Sequence, residues 1–329
     1  MMDAVIFGEA LVDLVSKRDA IYPFLGGGPF NTARVLGDLL KKTAFFGAIS
    51  DDNFGLELQK ALDEKGIFLH KALRINAPTS LAFAHLDSSG AASYQFYFDG
   101  TSANALSLLQ TKEVLKDSSI SKARAFYTGA LGLVLDPLFH SGMHLLGHYA
   151  KNSLVMIDPN VRGGIIDLQH SDIKLSRDIY LARLKQALDY AHILKLSIDD
   201  LDFIAKNSGI KMPSTSDLSA FTELGEILKN LYPKPHCILL TLGENGGVLY
   251  AKGKIEHIKA PKVNVIDTIG AGDVTSGVFL ALILKNNIEE SFKRGDFDFE
   301  LALKFATIAI NAASESTTKA GANIPKISI

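Results

Sequence analysis

The segment Asp267-Thr-Ile-Gly270-Ala-Gly272-Asp273-Val-Thr-Ser-Gly277 sets a carboxylate among small residues, directly ahead of the apolar stretch Val278 to Leu284. Small residues let backbone N–H groups approach an anion closely, and a helix N-terminus at that point adds the favourable end of its dipole. A carboxylate beside a bound phosphate is repulsive unless it has another task. Taking a proton from an attacking hydroxyl is such a task, and capping the helix is the alternative. A second run, Gly26-Gly27-Gly28-Pro29-Phe30-Asn31, permits close ligand approach, with Pro29 suited to start a helix and Asn31 on its first turn. An ordinary strand-to-helix turn reads the same way. Neither loop is followed by Gly-Lys-Ser/Thr, and Thr275 stands where a dinucleotide fingerprint has its third glycine. A third cluster, Thr241-Leu-Gly243-Glu-Asn-Gly246-Gly247, suits either a phosphate or a hairpin into Val248 to Ala251. Asp158-Pro-Asn160-Val-Arg162 offers a carboxylate, an amide and a forked cation to one ligand.

These loops need a scaffold that brings them together. Short apolar runs recur at Ala4 to Gly8, Ala44 to Ile49, Ala125 to Thr128, Leu154 to Ile157, Ile193 to Leu196 and Ile238 to Leu242. Asn31 to Leu40, Phe54 to Lys65 and Tyr180 to Tyr190 have helical periodicity, and the C-terminal part reads as helix from Ala271 to Leu284 and from Phe299 to Ala313. That alternation predicts an α/β fold, a mostly parallel sheet with helices on both faces. In such open sheets ligands bind at the carboxyl ends of strands, where the Asp158 and Thr241 loops begin.

Two stretches break the rhythm. Residues 10–25 and 79–100 read as strands, with Leu81 and Phe83, then Tyr94, Phe96 and Phe98, at every second position. They form either a small second sheet inserted into one domain spanning residues 1–329 or an extension of the main sheet. The three aromatics either pack a core or contact a ligand. Residues 211–219 read as a surface connection. His140, His144 and His148 share one helical face, which is the spacing of metal ligands and equally of a partly wet surface. Glu289, Glu290, Lys293 and Arg294 read as solvated charge.

Composition narrows the classes further. The chain has 329 residues, 47% hydrophobic and 21% charged, with a net charge of −2 and no Lys/Arg-rich block, so a nucleic-acid partner is not expected. Cys237 is the sole cysteine, which excludes an intramolecular disulfide and fits a reducing compartment. No apolar run approaches the ~20 residues that span a bilayer. The expectation is a cytoplasmic location without membrane contact.

Gly-Gly-Gly-Pro-Phe-Asn near the N-terminus, Asp-Pro-Asn-x-Arg, Thr-x-Gly-x-x-Gly and Asp-Thr-x-Gly-Ala-Gly-Asp, in this order and spacing, resemble the ribokinase (phosphofructokinase-B) carbohydrate kinases, in particular fructokinase-like members. The resemblance implies a Rossmann-like domain with a β-sheet lid, and transfer of the ATP γ-phosphate to a sugar hydroxyl with Mg²⁺. A monovalent cation such as K⁺ and a homodimer through the lid are further expectations. By position, Asp273 matches the catalytic base, and Gly270, Ala271 and Gly272 match the anion hole. Asp13, Gly27, Gly28, Asn31 and Arg162 match the acceptor site, and Lys195, Thr241, Gly243, Gly246 and Asn311 the nucleotide site.

Some positions depart from the pattern. The metal-linked Asn-x-x-Glu is here Ser197-Ile-Asp-Asp200, which leaves Asp200 to serve Mg²⁺ through water. Gly-Gly-Ile-Ile follows Arg162 in place of Pro-x-Leu-Trp, the chain has no Trp, and Lys319 stands where the family has Arg. Fructose is the favoured acceptor. A nucleoside kinase and a 2-keto-3-deoxygluconate kinase share the same phosphate machinery, and a catalytically silent sugar-binding regulator is the reading from another class.

Overall fold

The computed structural model describes the chain except residues 18–19, 87–91, 162–165, 167–174, 214–218 and 320–329, with backbone alone for 17, 84–86, 92–94 and 219–222. A nine-stranded sheet runs in the order Lys254–Ile258, Gly247–Ala251, Cys237–Thr241, Ile193–Ser197, Leu154–Asp158, Ala123–Gly129, Met2–Phe7, Thr43–Phe46, Phe68–Leu69. Seven of these strands are parallel, and the first two in that order join antiparallel at the edge. The central strands are buried on both faces, which is why they read as continuous apolar runs.

Helices cover both faces, as the alternation predicts. Gly28–Leu39, Asn53–Asp63, Ala271–Lys285, Glu289–Arg294 and Phe299–Ser316 pack on the face that carries Ala4, Ile6, Tyr127 and Met156. Leu108–Val114, Leu138–Tyr149, Arg177–Leu188, Ile198–Asn207 and Ser219–Leu231 lie on the face of Val5, Phe7, Phe126 and Ile157. Ala271–Lys285 is buried all round, lying between Gly28–Leu39 and Phe299–Ser316. Its apolar sequence without an amphipathic stripe follows from that position.

The stretches that break the rhythm build a separate mixed sheet. Its order is Ala20–Gly26, Leu11–Lys17, Leu81–Leu86, Ala92–Tyr97, with the two middle strands parallel. Phe98 is buried and stacks on Phe96 at 5.2 Å between ring centroids, so these rings pack a core, whereas the Tyr94 side chain lies outside the described residues.

Glu289 departs from the expected solvated charge. Arg124 Nε donates to its Oε1 at 2.7 Å and Nη2 to its Oε2 at 2.8 Å, while Nη2 also reaches the Leu284 carbonyl at 2.7 Å. One guanidinium thereby closes the C-terminal end of the central helix and anchors the following turn. Two of the three histidines have protein partners, His148 Nε2 2.8 Å from the Ser121 carbonyl and His140 3.2 Å from Asp136, and no metal-binding cluster occurs among the described residues.

Candidate active site

The order of the sheet reverses at Met2–Phe7, which has Thr43–Phe46 on one side and Ala123–Gly129 on the other. Open α/β sheets bind ligands in the crevice at such a point. Both glycine loops are delivered there by helix N-termini. Gly27 caps Gly28–Leu39, with Pro29 in its first turn, and Gly270, in a left-handed turn (φ 80°), caps Ala271–Lys285. Asp273 falls in the first turn of the second helix, where the dipole favours a carboxylate.

The two helices meet at their starts. Asn31 Nδ2 donates to Asp273 Oδ2 at 2.9 Å, and both side chains are 6% exposed. One turn further on, a Cβ at Gly277 would lie 2.6 Å from Val35 Cγ1, so only glycine lets the helices approach this closely. Asn160 comes to the same place from the carboxyl end of Leu154–Asp158. A Cβ on Gly28 would sit 2.7 Å from Asn160 Nδ2 and 3.3 Å from Asp273 Oδ1. The glycine that suggested close ligand approach therefore leaves room first for an amide and a carboxylate of the protein itself.

Beneath this surface lies a buried polar layer. Lys195 Nζ and Asp158 Oδ2 pair at 3.0 Å, with side chains 5% and 1% exposed, and Ser276 Oγ donates to the same oxygen at 3.0 Å. A Cβ on Gly272 would lie 2.8 Å from Lys195 Nζ, so the ammonium sits directly against the glycine turn. Burial opposes the Lys195 charge, but Asp158, Asp200 and Asp273 outweigh it and raise the ammonium above its ordinary value. Lys195 is thus a fixed cation. Tyr127, fully buried, accepts from Thr32 Oγ1 at 3.2 Å, and burial together with Asp158 and Asp273 pushes its phenol well above the usual range. Asn31 Oδ1 and Asp158 Oδ1 are buried without a hydrogen-bond partner among the described residues.

The other expected residues fall into three groups. Asp13 reaches the first loop, since a Cβ on Gly26 would lie 2.1 Å from its Oδ2. Thr241 stands beside Ser197 in the sheet, Gly243 and Gly246 flank the turn that follows, and that turn does lead into the hairpin strand Gly247–Ala251. Exposed Asn311 is on the helix whose Ile310 abuts Gly247. Backbone bonds from Ile266 and Asp267 to the Thr317 carbonyl, at 2.8 and 3.1 Å, tie the Asp273 turn to the end of that helix. Arg162 lies outside the described residues.

Asp200 has a structural task. It forms a capping box with Ser197, accepting from Ser197 N and Oγ at 2.7 Å each, and takes Val161 N at 2.6 Å on its other oxygen. The shorter Ser-x-x-Asp thus serves the start of Ile198–Asn207. Ser276, Thr32 and Tyr127 escaped the sequence reading, although a serine in an otherwise apolar helix was a usable signal.

A family model described as pfkB family carbohydrate kinase matches residues 1–327. A fructokinase from Rhizobium leguminosarum bv. trifolii is 28% identical over 286 residues, covering 85% of this chain and 79% of its own. The fold is similar to that of a fructokinase from Xylella fastidiosa with bound ATP, at TM-score 0.80 and 22% identity, over 98% of this chain and 94% of the other. It is also similar to an aminoimidazole riboside kinase from Salmonella enterica complexed with aminoimidazole riboside and an ATP analog. That match has TM-score 0.72 and 20% identity, over 97% and 94% of the two chains.

Proposed function

Because the chain belongs to the pfkB family of carbohydrate kinases, phosphotransferases with an alcohol group as acceptor, we propose that it transfers the γ-phosphate of ATP to a sugar hydroxyl, with fructose as acceptor. The observation that carries this reading is Asp273, buried at a helix N-terminus next to the Gly270–Gly272 turn and hydrogen-bonded to Asn31 of the other loop. Asp273 takes the proton of the attacking hydroxyl. The turn of Gly270, Ala271 and Gly272, with the Lys195 ammonium beneath it, receives the negative charge of the transferring phosphoryl group, the Ala271 N–H exchanging its 3.3 Å bond to the Thr268 carbonyl for the phosphate. Asp13, Gly27, Gly28 and Asn31 hold the acceptor, whose hydroxyls satisfy the open Asn31 Oδ1. Arg162 is assigned to the same acceptor. Thr241, Gly243, Gly246 and Asn311 hold the nucleotide.

A divalent ion fits this residue set in one way. No cluster among the described residues builds a protein cage, and both Asp200 oxygens already accept from protein donors. Asp158 Oδ1, next to the Lys195 pair, is a buried carboxylate oxygen without a hydrogen-bond partner among the described residues. This suits Mg²⁺ held chiefly by phosphate and water, with Asp158, and Asp200 through water, as the carboxylates nearest to it. When bound, the ion neutralises phosphate charge.

The Rhizobium relative supports fructose, whereas the Salmonella neighbour shows that the same fold accepts a riboside. A coupled assay with ATP over hexoses, pentoses, nucleosides and sugar acids is the test. Turnover is expected to be highest with fructose. A higher kcat/KM for a riboside or a sugar acid would replace the acceptor, and no turnover with any of them would overturn the kinase reading.

A further inference from the structure

Asn31 was assigned to the acceptor, yet its amide nitrogen is already committed to Asp273 Oδ2 at 2.9 Å. From this geometry we infer that Asn31 is a positioning residue for Asp273. The inference rests on the proposed role of Asp273 as base. A carboxylate at a helix start can rotate about its side-chain bonds, and only some orientations aim a lone pair at an acceptor hydroxyl. Here one oxygen is fixed by Asn31. The other, Oδ1, lies on the Gly28 side, 3.3 Å from where a Gly28 Cβ would stand, with Asn160 Nδ2 2.7 Å from the same point.

The backbone holds Asn31 in turn. Asn31 N donates to the Gly27 carbonyl at 2.9 Å, starting the helix, and the Val35–Gly277 contact fixes the spacing of the two helices one turn away. The amide therefore arrives at Asp273 from a rigid element, as precise positioning requires. It also donates to the charged form of the carboxylate, the form that accepts a proton.

The test compares Asn31→Ala and Asn31→Asp with the parent chain, measuring kcat and acceptor KM in the ATP-coupled assay and the ATP dissociation constant by calorimetry. Asn31→Asp keeps the size of the side chain, so it serves if Asn31→Ala does not fold. A positioning role predicts that kcat falls about ten- to a hundredfold, with a smaller factor in acceptor KM and unchanged ATP affinity. If kcat falls less than tenfold while KM rises, Asn31 binds acceptor only and the inference fails. Asp273→Asn, run alongside, separates the two levels. If that variant keeps full turnover, the base assignment is wrong, whereas its loss together with normal kcat in the Asn31 variants overturns the clamp alone.

Discussion

Asp273 meets two demands in the proposed reaction, since a carboxylate in the first turn stabilises its helix and the same carboxylate would accept the hydroxyl proton. Asp273→Asn separates them. Asparagine keeps the volume and can still accept from Asn31, so the fold should survive, but its proton-accepting power is gone. We expect kcat to fall by about 10² to 10⁴, or about 3 to 5 kcal/mol in the transition state. If the carboxylate only served the helix, the cost would be about 1 kcal/mol of stability with near-normal turnover of the folded fraction. Measuring kcat and melting temperature on one preparation decides between them. At this scale the sequence was legible where a residue sits in its own motif. Asp273 and Asn31 were each marked by local glycines, but their pairing was not, because a contact between residues 242 positions apart leaves no trace in local spacing. Ser197 and Asp200 are the opposite case. Their sequence reads only as a shortened metal-linked pair, and the capping box became visible in the bond to Ser197 N.

At the scale of elements, periodicity located the central strands well, because a parallel strand buried on both faces must be apolar throughout. The edge strand Lys254–Ile258 escaped notice, since only Ile258 is fully buried and its run is broken by charge. The second sheet was legible as an anomaly in rhythm. Its hydrogen-bond partners were not, because the parallel pairing of Leu11–Lys17 with Leu81–Leu86 joins strands far apart in the chain. We propose that this sheet closes over the acceptor. Its first two strands lie between the end of Met2–Phe7 and the Gly27 loop, so acceptor contacts at Asp13 and Gly27 bear directly on it. Hydrogen exchange of the amides in Leu11–Lys17 and Leu81–Leu86 should slow when fructose is added, with Cys237–Thr241 unchanged. Equal exchange with and without sugar would refute a ligand-gated lid.

The stability of the whole molecule depends on pH through a group at the far end of the sheet. His192 Nδ1 accepts from Val155 N at 2.9 Å, which requires a neutral ring, and burial, aided by His236 and Lys293, lowers its pKa to about 4. The unfolded chain binds this proton near pH 6.5, the folded chain only near 4, so stability is retained above pH 6.5 and lost as pH falls towards 4. With screening at a partly exposed ring, the loss is about 1 to 2 kcal/mol. His192→Asn keeps an acceptor but cannot titrate, so the fall in melting temperature from pH 7 to pH 4.5 should be smaller in the variant. An identical fall would exclude His192 as the source. The contact between Asn31 and Asp273 has a consequence in time as well as in space. During synthesis the Asn31 loop emerges first, and at about 5 to 20 residues per second the separation of 242 positions delays Asp273 by about 12 to 50 s. On the proposed reading, a nascent chain in that interval carries the acceptor loop but not yet the base. Long-range contacts of this kind close late in folding, so the Asn31–Asp273 pair forms only when the last third of the polypeptide has docked on the first.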